Sequence, residues 1–226
     1  MMRFLLLSLL LLSVSIANAR DGVPSCMEIG AQAGMTLSRV RFNPSVQQAF
    51  LPGLIMGARW KYVEERHFGL IAELNLSQHG WKERYDADEG DFSYTRRFTY
   101  VEIPMMTHVF FGSDRVRGFF NAGPQVGFMI GERTTANFDV ESIPSDYPAD
   151  RRVEQLTLPV KSKVDYGIVA GVGVELNVAR RHAVVLEGRF YYGLRDVFAN
   201  HNTDAFAASS TLAIAVTLGY SFALTH

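Results

Sequence analysis

The sequence predicts an all-β fold, an eight-stranded antiparallel up-and-down transmembrane β-barrel, on three observations. Thr211–Phe222 alternates without a miss, with Leu212, Ile214, Val216, Leu218, Tyr220 and Phe222 on one face. Thr211, Ala213, Ala215, Thr217, Gly219 and Ser221 occupy the other, because successive strand residues point to opposite sides. Seven further stretches carry the same period of two, and the connections between them alternate long and short. Charged residues collect in the phase opposite the apolar one. That assigns the apolar face to lipid and the polar face to a lumen.

The N-terminus reads as a secretory signal peptide over residues 1–19. Met1-Met2-Arg3 is a charged start, Phe4–Ile16 an apolar run, and Ala17-Asn18-Ala19 a small-residue cleavage site. The run is too short for a membrane helix, which needs about 20 apolar residues. Residues 20–226 are then one barrel domain with both termini in the periplasm. Loss of Arg3 leaves 21 of the 22 basic residues against 23 acidic ones, a net charge of −2, so nothing points to a nucleic-acid partner. Cys26 is the single cysteine and cannot close an intrachain disulfide. Val23-Pro24-Ser25 before it makes no lipidation box, and Cys26 reads as part of a short periplasmic lead-in.

In chain order the predicted strands are Glu28–Ser38, Leu51–Tyr62, His67–Trp81, Arg97–Phe111, Val116–Ile130, Val164–Val178, Ala183–Arg195 and Thr211–Phe222. Most reach the roughly 9–11 residues that cross a bilayer at a tilt. Tight connections are expected at Val63–Arg66, Gly112–Arg115 and Ala179–His182. Long polar ones are expected at Arg39–Phe50, Lys82–Arg96, Gly131–Lys163 and Asp196–Ser210. Short turns on the periplasmic side and long loops outside are the rule for such barrels. Trp60, Tyr62, Phe68, Phe111, Tyr220 and Phe222 fall near the turn ends, where an aromatic girdle belongs.

The lumen phase holds Glu28, Gln32, Arg59, Lys61, Glu73, Asn75, Glu102, Arg117, Asn121, Gln125, Glu175, Asn177, Glu187, Arg189 and Arg195. Opposite charges on facing walls of a narrow barrel are expected to pair, since an unpaired buried charge costs several kcal/mol. The predicted network is Arg59, Glu73, Glu102, Arg117, Glu175, Glu187 and Arg189. It reads as a structural plug and not as an ion path, because eight strands enclose only enough space for side chains. Centring the sixth and seventh strands on the Arg180 turn puts Gly173 opposite Glu187 and Gly171 opposite Arg189. Similarly, Gly57 is expected opposite Glu73, with Arg59 on the diagonal. Small facing large fills a tapering barrel. Pro104 and Pro124 sit inside predicted strands, against the usual exclusion of proline. Gly112 opposite Arg115 would bring the two prolines within one residue of each other, as one shared bulge, with Glu102 facing Gln125.

Several motifs carry a family resemblance. They are Tyr100-Val101-Glu102-Ile103-Pro104, Phe119-Phe120-Asn121-Ala122-Gly123-Pro124, Asp165-Tyr166-Gly167, Gly171-Val172-Gly173-Val174-Glu175 and Tyr191-Tyr192-Gly193-Leu194. In that order they resemble the PorT-type outer-membrane β-barrel family of Bacteroidetes, over essentially the whole mature chain. Two features depart from the pattern: Leu224-Thr225-His226 follow the terminal aromatic strand, and Met105-Met106 replace longer aliphatics. The resemblance implies an outer-membrane barrel and, for the family's namesake, an association with type IX secretion. Most relatives with these motifs have no assigned role, and no catalytic or binding residue carries over.

Little else points to chemistry. His67, His79, His108, His182, His201 and His226 share no metal-ligand spacing, and no CxxC occurs. There is no nucleophile elbow or P-loop, and Gly171-x-Gly173 sits mid-strand. The best catalytic constellation is His201 with Asp204 and Ser209 or Ser210, in the last external loop. Its spacing is not diagnostic, so no enzyme, cofactor or metal is predicted. The loop Gly131–Lys163 mixes Glu132, Asp139, Glu141, Asp146, Asp150 and Glu154 with Arg133, Arg151, Arg152, Phe138 and Tyr147. Such a loop serves equally as an interaction surface or as variable exterior. The sequence therefore predicts a monomeric, non-enzymatic outer-membrane protein. Its partners would be outer-membrane lipid and secretion or envelope proteins. A small lipid A-modifying enzyme is the alternative, and a narrow channel the third reading.

Overall fold

In hydrocarbon every backbone N–H and C=O must find a partner within the protein, so a sheet that spans a membrane has to close on itself. This chain does so in a computed structural model that describes residues 26–43, 45–86, 90–145, 147–148, 151–160, 162–198 and 208–224. The elements are β1 (Cys26–Asn43), β2 (Gln48–Ala49), β3 (Leu51–Val63), β4 (Phe68–Glu83), β5 (Tyr94–Gly112), β6 (Val116–Ala136), α1 (Glu154–Thr157), β7 (Val164–Ala179), β8 (His182–Asp196) and β9 (Ala208–Ala223). Each long strand pairs antiparallel with its neighbours in sequence, and β1 pairs β9 to complete the ring. The two-residue β2 is a stub on the loop end of β4. Eight spanning strands make one up-and-down barrel.

The register fixes the size of the barrel. Thr36 faces Ala215, Ala215 faces Arg189, Arg189 faces Gly171, and Gly171 faces Asn121. Asn121 faces His108, His108 faces Gly69, Gly69 faces Val63, and Val63 faces Cys26. One circuit thus returns to β1 ten residues from where it began. For eight strands that stagger implies a tilt of about 40° and a backbone radius of about 8 Å, which leaves room for side chains and little else.

The predicted inside-outside phase holds through the membrane band. Val172 is 61% exposed, Leu186 53% and Leu218 60%, whereas Glu187 is fully buried. Trp60 and Tyr62 stack with centroids 6.1 Å apart, and Tyr220 meets His182, giving aromatics at the turn end. The turns between β3 and β4, β5 and β6, and β7 and β8 are short, and the other connections are long, as predicted.

Several details differ. β1, β4, β5 and β6 run further toward the loop end than their period-two apolar pattern, because that pattern inverts in β1 and β5 and gives way to polar residues in β4 and β6. In β5 the inward residues become Tyr94, Phe98 and Tyr100, and the outward ones Thr95, Arg97 and Thr99. Cys26 is the first residue of β1 and not a lead-in. Gly112 faces Arg117, so the β5–β6 register is two residues from that expected, and Glu102 faces Gly127 instead of Gln125. Pro104 faces Gln125, one residue from Pro124, yet the register does not shift there; the irregularity lies at Thr99/Tyr100. Gly123 relieves the crowding beside Pro124, since a Cβ there would meet the Met105 carbonyl oxygen at 1.9 Å. The β3–β4 register is likewise offset: Arg59 faces Glu73 directly, and Gly57 faces Asn75. Gly173 does face Glu187, and Gly171 does face Arg189. Arg195 was expected in the lumen, but its guanidinium lies over the outward Tyr166 ring, 5.9 Å from the centroid, beyond the irregularity that follows Tyr192.

This phase makes a direct prediction. Val172→Arg is expected to lower the stability of the refolded barrel in vesicles by about 2–4 kcal/mol, because it places a cation against mid-bilayer lipid. Urea unfolding followed by gel mobility reads the loss. Wild-type stability of Val172→Arg would mean the outward phase of β7 is wrong.

Candidate functional site

The lumen is built in layers by the inward residues of neighbouring strands. In the central layer Arg59 on β3 donates through Nε to Glu73 on β4 at 2.8 Å, and its Nη2 pairs with Glu187 on β8. Arg189 on β8 reaches Glu73 at 2.6 Å and Glu187 at 2.7 Å. Two arginines and two glutamates thus form a neutral four-membered cluster across the barrel. The remaining carboxylate lone pairs are taken by amides. Gln32 Nε2 donates to Glu73 at 2.8 Å, Asn75 Nδ2 at 2.9 Å, and Asn121 Nδ2 donates to Glu187 at 2.8 Å. Glycine leaves room where these heads sit, since a Cβ on Gly171 would meet Glu187 Oε1 at 2.5 Å and force the carboxylate to move.

A second neutral layer lies toward the turn end. Lys61 bridges Glu28 at 2.8 Å and Glu175 at 2.5 Å. Arg117 stands 3.6 Å from Glu175, half-exposed and over the Phe110 ring. Below it opens a vestibule of about 790 Å³ lined by Cys26, Glu28, His67, Phe110, Arg117 and His182. Toward the loop end Glu102 finds no arginine: its partner is His79, whose Nε2 lies 2.6 Å away. Tyr191 donates to Asp165 at 3.0 Å beside this pair. The predicted residues therefore fall into three sets: Arg59, Glu73, Glu187 and Arg189; Arg117 and Glu175; and Glu102 alone with a histidine.

The cluster around His79 has the residue types of a hydrolase triad, because Ser77 Oγ also lies 2.9 Å from Nε2. The wiring does not suit that chemistry. A relay needs the nucleophile on one imidazole nitrogen and the carboxylate on the other, whereas both contacts here fall on Nε2 and Nδ1 has no partner. The adjoining cavity is only about 20 Å³, enough for one water. Of the constellation proposed for the last loop, His201 and Asp204 lie outside the described residues. Ser209 is buried in β9, where its Oγ accepts the Phe198 amide at 3.0 Å. Residues 1–25, Asp146, Asp150 and His226 are also outside the described set. Among the described residues no group of three His, Cys, Asp or Glu side chains is placed to hold a metal ion.

Sequence reasoning missed the cap. At the loop end Phe42, Trp81, Tyr94, Phe98 and Phe198 form an aromatic nest, with Leu156 of α1 seated in it. Trp81 meets Phe42 edge-on at 5.4 Å and Phe198 at 5.9 Å. The Arg96 guanidinium lies between 5.5 and 5.7 Å from the Trp81, Phe98 and Phe198 ring centres. It also donates to the Leu158 carbonyl at 2.8 Å and pairs with Glu132 at 2.5 Å. Tyr94 OH donates to Leu156 O at 2.9 Å, and Gln155 Nε2 to Glu83 at 2.7 Å. Burial, the Tyr147 hydroxyl and the Glu83 carboxylate all push the Tyr85 phenol up, so it serves as a neutral donor to Glu83 at 3.0 Å. The segment around α1 is thereby fastened across the barrel mouth. The available signal was the phase inversion of β5, which turns aromatic side chains inward.

Residues 18–199 match the family model described as outer membrane protein beta-barrel domain. No curated protein matches the sequence. Among solved structures the chain is similar to the outer membrane protein OprG from Pseudomonas aeruginosa. Identity is 10%, with 89% of this chain and 97% of that one covered, at a TM-score of 0.51. Neisserial surface protein A is 10% identical over 89% and 99% of the two chains, at a TM-score of 0.46. The outer membrane enzyme PagL is 13% identical over 85% and 97%, at a TM-score of 0.42. At these identities the likeness concerns the fold alone.

Arg96 is the fastening of the cap. Removing it deprives Glu132 and the Leu158 carbonyl of charged hydrogen bonds worth roughly 1.5–3 kcal/mol each. In the refolded Arg96→Met barrel, protease cleavage within residues 137–163 is expected to quicken about tenfold or more, as a loss of 1.4 kcal/mol already implies. The strands should remain protected. Equal cleavage rates in both proteins would mean the loop is held without Arg96.

Proposed function

The chain belongs to the outer membrane protein beta-barrel domain family, and from that premise we propose that it is a closed, non-enzymatic, PorT-like membrane protein. Its role would be secretion-associated or one of envelope contact. In this reading residues 1–19 are removed as a signal peptide and residues 20–226 act as a monomer. The turn end and both termini face the periplasm, and the long loops face outward. Type IX secretion in Bacteroidetes is the setting that the sequence motifs suggest.

One observation carries the reading. Neutral charge layers fill the lumen, and a folded loop segment covers its mouth. A conducting path needs an open lumen, and a lipid-modifying enzyme needs reactive groups that reach the bilayer. The Ser77, His79 and Glu102 set lies inside the wall and is wired to one nitrogen, which weighs against that second role. What stays accessible is the outer surface of the capped loops, and loops carried on a rigid scaffold are where binding function resides.

Two measurements test the proposal. A strain lacking the protein is expected to show altered protein secretion or a weakened envelope, and normal scores for both would overturn it. The purified barrel in planar bilayers should show no nanosiemens conductance and leave the mass of lipid A unchanged; either activity would replace this reading.

A further inference from the structure

Where the strands leave the apolar band at the loop end, their outward positions become cationic. Arg39 and Arg41 lie on β1, Lys82 on β4, Arg97 on β5, Arg133 on β6, Lys163 just before β7, and Arg195 on β8. All seven are exposed or half-buried. Arg39, Arg41, Lys82 and Arg97 continue the phase that faces lipid lower down on their strands. Past the irregularities at Thr99/Tyr100 and after Tyr192, Arg133 is the register partner of the outward Arg97 and Arg195 lies over the outward Tyr166 ring, while Lys163 is exposed in the bend before β7. With the ten-residue stagger spread over eight strands, their backbone positions fall within about 10 Å of one level. They form a belt around the barrel.

This belt is short of counter-charge. Arg97 and Arg133 are directly opposed across β5–β6, and like charges in that position repel. The Arg97 guanidinium donates only to neutral oxygens, Gln78 Oε1 at 3.1 Å and Pro52 O at 3.2 Å. Arg39 lies over the Phe50 ring, Arg195 over that of Tyr166, and Arg41 reaches the Tyr192 hydroxyl at 3.4 Å. Among the described residues no carboxylate is within ion-pair distance of the seven. Three described carboxylates near this level are engaged elsewhere: Glu132 with Arg96, Glu83 with Gln155, and Asp196 with the Ser209 amide at 2.6 Å. The turn end differs, with aromatics on the strands and charges of both signs among its turns, Glu64-Glu65-Arg66 and Asp114-Arg115 beside Arg180-Arg181.

We propose that the belt is a docking surface for phosphorylated lipid, its cations holding the phosphate groups of the headgroups in the leaflet at the loop end. Charge complementarity, outward phase and height at the edge of the apolar band all fit a ligand whose acyl chains lie against the barrel wall. Arginine suits the task because its planar fork binds phosphate oxygens in pairs.

The probes are diphosphoryl lipid A and its fully dephosphorylated form, titrated against the full-length barrel refolded in neutral detergent. The diphosphoryl form is expected to bind at least tenfold more tightly, and its affinity should fall steeply between low and high salt. A combined Arg39→Gln, Arg41→Gln, Arg97→Gln, Arg133→Gln variant should bind both forms alike. Arg180→Gln with Arg181→Gln should leave the preference intact. Heat-modifiable gel mobility reports folding, and if the quadruple variant does not fold, the salt dependence of the wild type decides. Equal affinity for the two lipids, salt-independent binding, or a folded quadruple variant that keeps the preference would overturn the proposal. So would equally tight binding of a soluble polyanion such as heparin, since that requires no lipid.

Discussion

The structure depends on one constraint: its apolar side chains are committed to lipid, so its interior must be built from polar ones. A closed ring of eight strands staggered by ten residues encloses too little space for a water channel and too much charge to leave unpaired. The answer is stoichiometric. Two arginines face two glutamates in the central layer, and Lys61 and Arg117 face Glu28 and Glu175 in the next. Glutamine and asparagine take the lone pairs that remain, and glycine gives way where the heads are widest. Each layer is neutral as a set, and no member has a good solution alone.

A second pattern follows from the same constraint at the membrane's edge. Once a strand passes beyond hydrocarbon, its outward face should be polar and its inward face is free to be apolar. β1 makes that change between Leu37 and Phe42, and β5 makes it between Val101 and Tyr94. One consequence is the aromatic nest that α1 closes from above, fixed by Arg96. The other is the outward cationic belt. Cap and belt are the inner and outer sides of a single inversion.

That inversion also explains what could be read from the sequence. Within the bilayer, period two with apolar-out and polar-in placed eight strands, their turns and most inward charges correctly. The period-two pattern runs out near Ser38 because beyond it Val40 and Phe42 fall in the opposite phase, and near Trp81 and Ile130 because the residues that follow in β4 and β6 are polar. Register was harder. Centring β7 and β8 on Arg180 matches Gly173 with Glu187 because a one-residue irregularity at Asn177/Ala179 accompanies the two-residue turn at Arg180-Arg181, whereas longer turns at Glu64–His67 and Ser113–Arg115 displace the pairing by two. An error of two preserves the phase, which is why Arg59 and Glu73 were placed inward but not face to face. The His79–Glu102 pair is hidden in the sequence for a different reason: a lone histidine in the inward phase carries no spacing that marks it as the partner of a carboxylate.

The central claim is that the lumen charges act as a set, and a double-mutant cycle in the refolded barrel tests it most directly. Glu187→Gln leaves Arg59 and Arg189 short of an acceptor and should cost up to about 3–5 kcal/mol, less where water reaches the site. Pairing it with Arg189→Gln should restore part of that loss, giving a coupling of about 1–3 kcal/mol in urea unfolding. The Arg59–Glu73 cycle should behave alike. Coupling below a few tenths of a kcal/mol in both cycles would mean that each charge is solvated on its own, and the account of a plugged lumen would be contradicted.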